Sequence, residues 1–440
     1  MRKKLHEIRD PIHNFVTFND QERDLINSRP FQRLRRIHQL GMSHFLYPGA
    51  NHTRFEHSLG VMELATRVFD RITAPLDDGI KQALPGLDRE ESRIRWRRTL
   101  RMAALCHDLG HLPFSHAAET ELLPDGMDHE VMTARFIREY PELQSIWAKE
   151  NYELNDLQIA KLALGPKKLP NESFTELEAI LSEIIVGDTF GVDRMDYLLR
   201  DSHHAGVAYG RFDHYRLIDT LRLMVSPPDH TGQSSGAPVF GVEEGGLHAA
   251  ESLLLARYFM FKQVYYHHVR RVYDLHLVDF LLAWLPGGKF PARLDKYLAL
   301  TDDVVMTALG KACVGKTQAH SLTAQRILDR QHFRRVYEPA ADELQREFNP
   351  VATISKALAE EFGAANIKKD TVPPKVSGLD FPVLYAEGPR SSLLVSDVVD
   401  SIPAARADYV FADPAICLQV RMWLAKHTNE LLGGGNKTDE

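Results

Sequence analysis

Four residues spread widely along the chain share one feature: His57, the adjacent pair His107 and Asp108, and Asp193 each sit inside an apolar segment of helical period. Two imidazoles and two carboxylates make a complete ligand set for one divalent metal. Mixed nitrogen and oxygen ligation suits Fe, Mn, Co or Zn and does not choose among them. Polar groups on buried helical faces are costly unless something binds them, and a metal ion that activates water is a partner suited to these types. Any one of these histidines alone reads more readily as a hydrogen-bonded core residue. The set gains weight because His111, His116 and His129 come after the doublet within the same stretch of chain.

A second pattern begins after Gly191. Asp193, Asp196, Tyr197, Arg200 and Asp201 recur at i, i+3, i+4, i+7 and i+8, so they share one helical face, with Met195, Leu198 and Leu199 on the other. A charged face is usually solvated. Three acids, an arginine and a tyrosine, with His203-His204 directly after them, equally suit a metal-and-phosphate site. Farther on, Arg257, Phe261 and Tyr265 are spaced i, i+4, i+8 and offer either a cation beside an aromatic plate or a core stripe with a snorkelling arginine.

These residues need helices to position them. Apolar positions Phe55, Leu59, Met62, Ala65, Val68 and Ile72 predict a helix that Pro75 ends, and a second covers roughly 93–109, stopped by Gly110 and Pro113. Further helices are expected at 129–139, 155–164, 176–186 and from Val192 to about Ser202. Residues 20–40 read as helical with an interruption at Arg29-Pro30, and 14–18 as a hairpin edge. The segments 221–225 and 238–242 flank SPPDHTGQSSGA and predict a β-hairpin with a long mobile loop. One long helix is expected from Gly246 to Leu285, ended by Pro286-Gly287-Gly288. Beyond it come helices near 302–312, 321–330 and 354–363, a Lys/Pro-rich linker near 367–377, strands at 381–386, 392–399 and 408–412, a closing helix at 414–431 and a frayed tail. The fold class expected is mainly α: a helical bundle over 1–285 with a small β-hairpin, plus a smaller α+β region over 286–440, accessory or oligomerising.

Composition is that of a globular protein, 44% hydrophobic and 26% charged. A net charge of −7 argues against a dedicated nucleic-acid coat protein; nucleic acid remains a partner that nothing specifically indicates. Cys106, Cys313 and Cys417 are odd in number and far apart, which suggests a reducing compartment without a disulfide framework. Cys106 reads as a small buried apolar residue. No apolar run approaches the roughly 18 residues of a membrane span, and MRKKLHEIRD has the charge of a signal peptide without its apolar stretch. A cytoplasmic protein with no membrane partner is expected.

The order H…HD…D, carried by QRLRRIHQLGMSHFLYPGANHTRFEHSLGV, ALCHDLGHLPFSH and GVDRMDYLLRDSHHAG, resembles the HD-domain superfamily of metal-dependent phosphohydrolases, and within it the deoxynucleoside triphosphate triphosphohydrolases. The likeness runs from about residue 7 to 285. It implies a helical HD-domain bundle that hydrolyses a dNTP to deoxynucleoside and inorganic triphosphate. It further implies that His57, His107, Asp108 and Asp193 hold one divalent transition metal, that His111, His116 and His129 are catalytic, and that magnesium can arrive with the substrate. Arg54, Arg194, Tyr197 and Arg257 match triphosphate contacts, Gln39, with Leu40 beside it, and Asp201 match groups at the sugar, and Tyr265 matches the aromatic that leaves no room for a 2′-OH. A homo-oligomer is also implied, with a nucleotide effector as a possible partner. Phe261 and Asn27 depart from the family's vertebrate member, although Gln32, Arg35 and Arg216 match its effector region, so base preference and effector dependence do not carry over. Two other readings of the residues stand beside this one: an HD-type phosphodiesterase or nucleotidase on another phosphate ester, and a nucleotide-sensing HD protein without turnover.

Overall fold

Thr53 and Glu56 begin the helix that carries the first histidine. The Glu56 carboxylate accepts from the Thr53 backbone N–H at 3.0 Å and from its hydroxyl at 3.1 Å, an arrangement that satisfies polar groups left over at a helix start. The helix runs Arg54–Ile72 and buries Leu59, Met62, Ala65, Val68 and Ile72. It packs against Glu90–Cys106. That helix in turn meets Asp156–Leu164, which lies against both His129–Glu139 and Glu176–Val186. Val192–Ala205 returns to Arg54–Ile72. At the crossing sits Gly60, where a Cβ would collide with the side chains of Asp196 and Arg200. A residue without a side chain is what allows that approach.

The computed structural model describes residues 5–73, 76, 78–115, 119–150, 152–226, 236–315, 320–345, 348–373 and 380–433. Its contacts divide the chain into two units: residues 1–260, 290–304 and 377–403 in the first, and 261–289, 305–376 and 404–440 in the second. The expected division at 285–286 falls within the 261–289 segment of the second unit.

Two sheets belong to the first unit. β1 (His6–Asp10) and β2 (Asn14–Phe18) form an antiparallel hairpin with Glu7 opposite Thr17. β3 (Leu221–Val225) and β4 (Pro238–Glu243) pair antiparallel as the sequence pattern predicts, and residues 227–235 of the connecting loop lie outside the described residues. In the second unit, β5 (Arg334–Tyr337) and β6 (Ile367–Val372) flank a later strand, while β7 (Pro382–Tyr385) and β8 (Gly388–Ser391) extend the first unit's sheet to the order β3-β4-β7-β8. β9 (Ala407–Ala412) is buried at all six positions in the order β5-β9-β6. Val410 and Ala412 pack there with Val351, Ile354 and Leu358 of the Pro350–Phe362 helix and Val420 and Leu424 of the Cys417–Leu431 helix.

The fold is mainly α with small sheets, as expected. Several boundaries differ. The long helix expected from 246 to 285 is broken: Leu247–Met260 gives way to a π-helical turn at Phe261–Tyr265, and His268–Trp284 starts afresh. His267 caps that restart, its Nδ1 accepting from the Val269 N–H at 3.2 Å. No proline or glycine marks the break, so the hydrophobic period runs straight across it. The expected linker at 367–377 is a strand over its first six residues, β6, which pairs antiparallel with β9, from Ile367 opposite Ala412 to Val372 opposite Ala407. Asp370 is held there by Arg271 through two 2.7 Å bonds, and residues 374–377 lie outside the described residues. The strand expected at 392–399 is instead two short helices, Ser392–Val395 and Asp397–Ser401, capped by Ser391 and Ser396. Arg29-Pro30 opens the short helix Arg29–Arg33, where a missing N–H costs nothing.

Candidate metal and phosphate site

Three of the four candidate ligands converge. His57 lies in the first turn of its helix, His107 at the C-cap of Glu90–Cys106 and Asp193 in the first turn of Val192–Ala205. His57 Nε2 is 3.3 Å from His107 Nε2 and 3.1 Å from Asp193 Oδ1, and His107 Nε2 is 3.6 Å from the same oxygen. Asp108 adds oxygens 3.4 Å from His107 Nε2 and 3.7 Å from His57 Nε2. With metal–ligand bonds of about 2.0–2.2 Å, neighbouring ligand atoms stand roughly 3.0–3.5 Å apart, so the spacing and the mixed N/O donors fit a divalent ion. Among the described residues, His57, His107 and Asp193 form a group able to hold a metal.

The other face of each imidazole is already committed. His107 Nδ1 lies 2.8 Å from the Ala104 carbonyl, and His57 Nδ1 lies 2.8 Å from Asp196 Oδ2. Both Nε2 atoms are thereby turned to the centre, the orientation that partners around a metal's ligands typically enforce. Asp196 is fixed in turn by Arg200, at 2.8 and 3.0 Å, and by His13 Nε2 at 2.6 Å, and Arg200 also donates to Asp10 at 2.8 Å. All four lie in the interior. The charged face of Val192–Ala205 is therefore a buried network.

Electrostatics match the geometry. Burial works against the charged form of His57, but the Asp193 and Asp196 carboxylates outweigh it and raise the imidazole to about 10. Burial would raise Asp193, and the His107 and His57 imidazoles instead hold it below the usual carboxylate range. Burial, together with the Arg54 guanidinium and His129, pushes His111 well below its ordinary value against the pull of Asp108, so His111 is neutral. Its Nε2 is 3.2 Å from Asp108 Oδ1, and its ring stacks on His129 at 4.0 Å. His129 Nδ1 is 2.6 Å from Glu119. A second group of possible donors, Glu119, His129 and Glu130, includes a carboxylate already paired with Lys168 at 2.6 Å.

The basic residues divide. Arg54, 3% exposed, stands at the centre itself: Nη1 donates to Asp108 Oδ2 at 2.5 Å, while Nε and Nη2 donate to Ser115 Oγ at 3.0 and 2.8 Å. Arg194 and Arg257 both turn to the 187–188 backbone: Arg194 bonds the Gly187 carbonyl and pairs with Asp188 at 3.1 Å, and Arg257 donates to the Asp188 carbonyl at 3.3 Å. Tyr197, on the same helix as Arg194, has its hydroxyl pKa raised by burial. Asp201, 2% exposed, meets His52 Nε2 at 2.7 Å. Gln39 Oε1 is a buried acceptor with no partner among the described residues, and Leu40 beside it is buried. Tyr265 belongs to the second unit, where its ring meets Phe261 at 5.0 Å. His116 lies outside the described residues. Sequence reasoning missed His13, His38, His52, Ser115 and Asp302 as parts of this network. Only the Asp196/Arg200 spacing of i, i+4 signalled it.

Two histidines and two carboxylates with the spacing of a divalent-metal site stand beside a buried guanidinium, carried by packed helices. Residues 54–184 match the HD domain and residues 212–373 the HD-associated region. The solved structure of a hypothetical protein from Aquifex aeolicus superposes with a TM-score of 0.76 at 32% identity, covering 96% of this chain and 100% of that one. An uncharacterized protein of Methanocaldococcus jannaschii is 36% identical over 61% of this chain and 47% of its own length. A deoxynucleoside triphosphate triphosphohydrolase SAMHD1 homolog of Dictyostelium discoideum is 34% identical over 47% of this chain and 37% of its own. The chain spans about half or less of the length of these two curated relatives. It belongs to the HD-domain phosphohydrolase family. No helix among the described residues is long and apolar enough to cross a membrane.

Proposed function

We propose that the protein is a metal-dependent dNTP triphosphohydrolase, releasing deoxynucleoside and inorganic triphosphate. The observation that carries this reading is Arg54: a buried guanidinium beside the metal donors, with its fork held by Ser115 and Asp108. The guanidinium stands beside the donors already paired with Asp108, and planar guanidinium groups suit phosphate oxygens. The triphosphohydrolase named among the relatives supports the choice of substrate.

His57, His107, Asp108 and Asp193 would hold the ion, which supplies Lewis acidity at phosphorus and a more acidic water. Arg54 neutralises charge near the α-phosphate, and Arg194, Tyr197 and Arg257 bind the rest of the triphosphate chain. His111, neutral through burial, accepts the proton of the attacking water, with His129 stacked beside it and oriented by Glu119. His116 returns a proton to the leaving 5′ oxygen. Gln39, Leu40 and Asp201 line the sugar, and Tyr265 is assigned to the 2′ position by resemblance. The test is hydrolysis of a dNTP panel in ¹⁸O-labelled water by protein reconstituted with Mn, Fe, Co or Zn. The label should enter triphosphate and not the nucleoside 5′-OH. A labelled dNMP with pyrophosphate would make the protein a pyrophosphohydrolase, and turnover of only monophosphates or cyclic nucleotides would make it another HD phosphoesterase.

A further inference from the structure

Residues 290–304 belong to the first unit although the chain on both sides of them belongs to the second. Groups on this segment end on the loop after the His107-Asp108 doublet and on the chain leading to Arg54. The Tyr297 hydroxyl donates to the Gly110 carbonyl at 2.5 Å. The Leu300 carbonyl accepts from Arg33 Nε at 2.8 Å, and the same guanidinium donates to the His111 carbonyl at 2.7 Å. Asp302, 1% exposed, does most. One oxygen takes the His38 N–H at 2.8 Å and meets His38 Nδ1 at 2.6 Å, and the other takes the Phe114 N–H at 2.8 Å.

Phe114 and Ser115 are both left-handed, with φ of 58° and 60°. Such conformations cost on the order of 1–3 kcal/mol each and persist only where the surroundings over-determine them. Asp302 is one determinant, because it fixes the N–H of the first. The turn then aims Ser115 Oγ, which donates to the His38 carbonyl at 3.1 Å and accepts both Arg54 bonds. A continuous hydrogen-bonded path therefore runs from Asp302 through His38 and the Phe114-Ser115 turn to Arg54 and on to Asp108.

We propose that Asp302 is a positioning residue for phosphate binding: it holds the left-handed turn that fixes Arg54 in the pose that meets substrate phosphate. The inference rests on Arg54 as a phosphate contact. A carboxylate is required because three donors converge on its two oxygens. An asparagine would offer one acceptor and set an NH₂ group against a donor.

The test is calorimetric binding of inorganic tripolyphosphate to the Mn-loaded full chain, comparing the parent with Asp302→Asn, Arg54→Ala and the double variant, with metal content measured alongside. Asp302→Asn should weaken tripolyphosphate binding by about tenfold or more at unchanged metal content. In the Arg54→Ala background the same change should add less than about twofold, because coupled sites lose additivity. Ser115→Ala cuts the last link of the path and should reproduce the Asp302→Asn pattern, also where Asp302→Asn does not fold. Equal losses in both backgrounds, or no loss, overturn the inference alone. Unchanged binding by Arg54→Ala overturns the phosphate reading of Arg54 and the inference with it.

Discussion

Asp196 Oδ2 lies 2.8 Å from His57 Nδ1 while His57 Nε2 faces Asp193 at 3.1 Å. An ionised carboxylate only accepts, so Nδ1 carries a proton toward Asp196, and binding of the ion would displace the proton on Nε2 and free that lone pair for the metal. Asp196 is held ionised, well below its usual range: burial opposes this, and the Arg200 guanidinium and hydrogen bonds from His13 and His57 prevail. Asp196→Asn keeps the shape but removes the charge, and metal affinity should fall by roughly 10–100-fold. Metal titration of the two proteins checks this; equal dissociation constants would refute the orienting role.

The ligands themselves should behave more severely. His107→Ala or Asp193→Ala removes one donor of the converging set and should abolish turnover and lower metal content while the protein stays folded. Elemental analysis beside circular dichroism reads both quantities. A His107→Ala protein with full metal and full activity would place the coordination elsewhere.

Sugar recognition can be tested at the His52–Asp201 contact, 2.7 Å long and nearly sealed from solvent. If Asp201 bonds the substrate 3′-OH, the parent should turn over dNTPs on the order of a hundredfold better than 2′,3′-dideoxy analogues in kcat/KM. Asp201→Ala should erase most of that ratio by slowing only the dNTP. A variant that slows both substrates equally would assign Asp201 a structural role.

Features that obey the helical period were legible in the sequence. The helices at 129–139 and 176–186 begin and end where capping and apolar spacing place them, and the H…HD…D order brought His57, His107 and Asp193 together because each rides on such a helix. Two kinds of feature were not legible. The break at 261–267 carries no glycine or proline, since a π-helical turn and the His267 cap are set by packing. The outer network was hidden because His13, His38 and Asp302 meet their partners across 183, 264 and 188 residues of chain. Their role depends on tertiary contact and has no local period.

His38 offers a pH signature of one such contact. The Asp302 hydrogen bond raises its pKa above the ordinary 6.5; burial opposes, and the charges of Asp302, Asp303 and Glu56 add to the rise. His44, whose ring stacks at 5.5 Å, is lowered by burial and adds no charge of its own near neutrality. A folded-state pKa above the unfolded one means that the protonated form is preferentially bound by the native state. Its contribution is complete below the unfolded value and disappears as pH rises through the folded one. His38→Gln should therefore cost about 1 kcal/mol of stability near pH 6, the worth of a partly exposed charged hydrogen bond. The deficit should shrink as pH rises through the raised folded-state value, where the parent loses the same proton. Denaturant unfolding of both proteins across that range measures it. A deficit that stays constant or grows with pH would show that His38 is bound to Asp302 as a neutral imidazole.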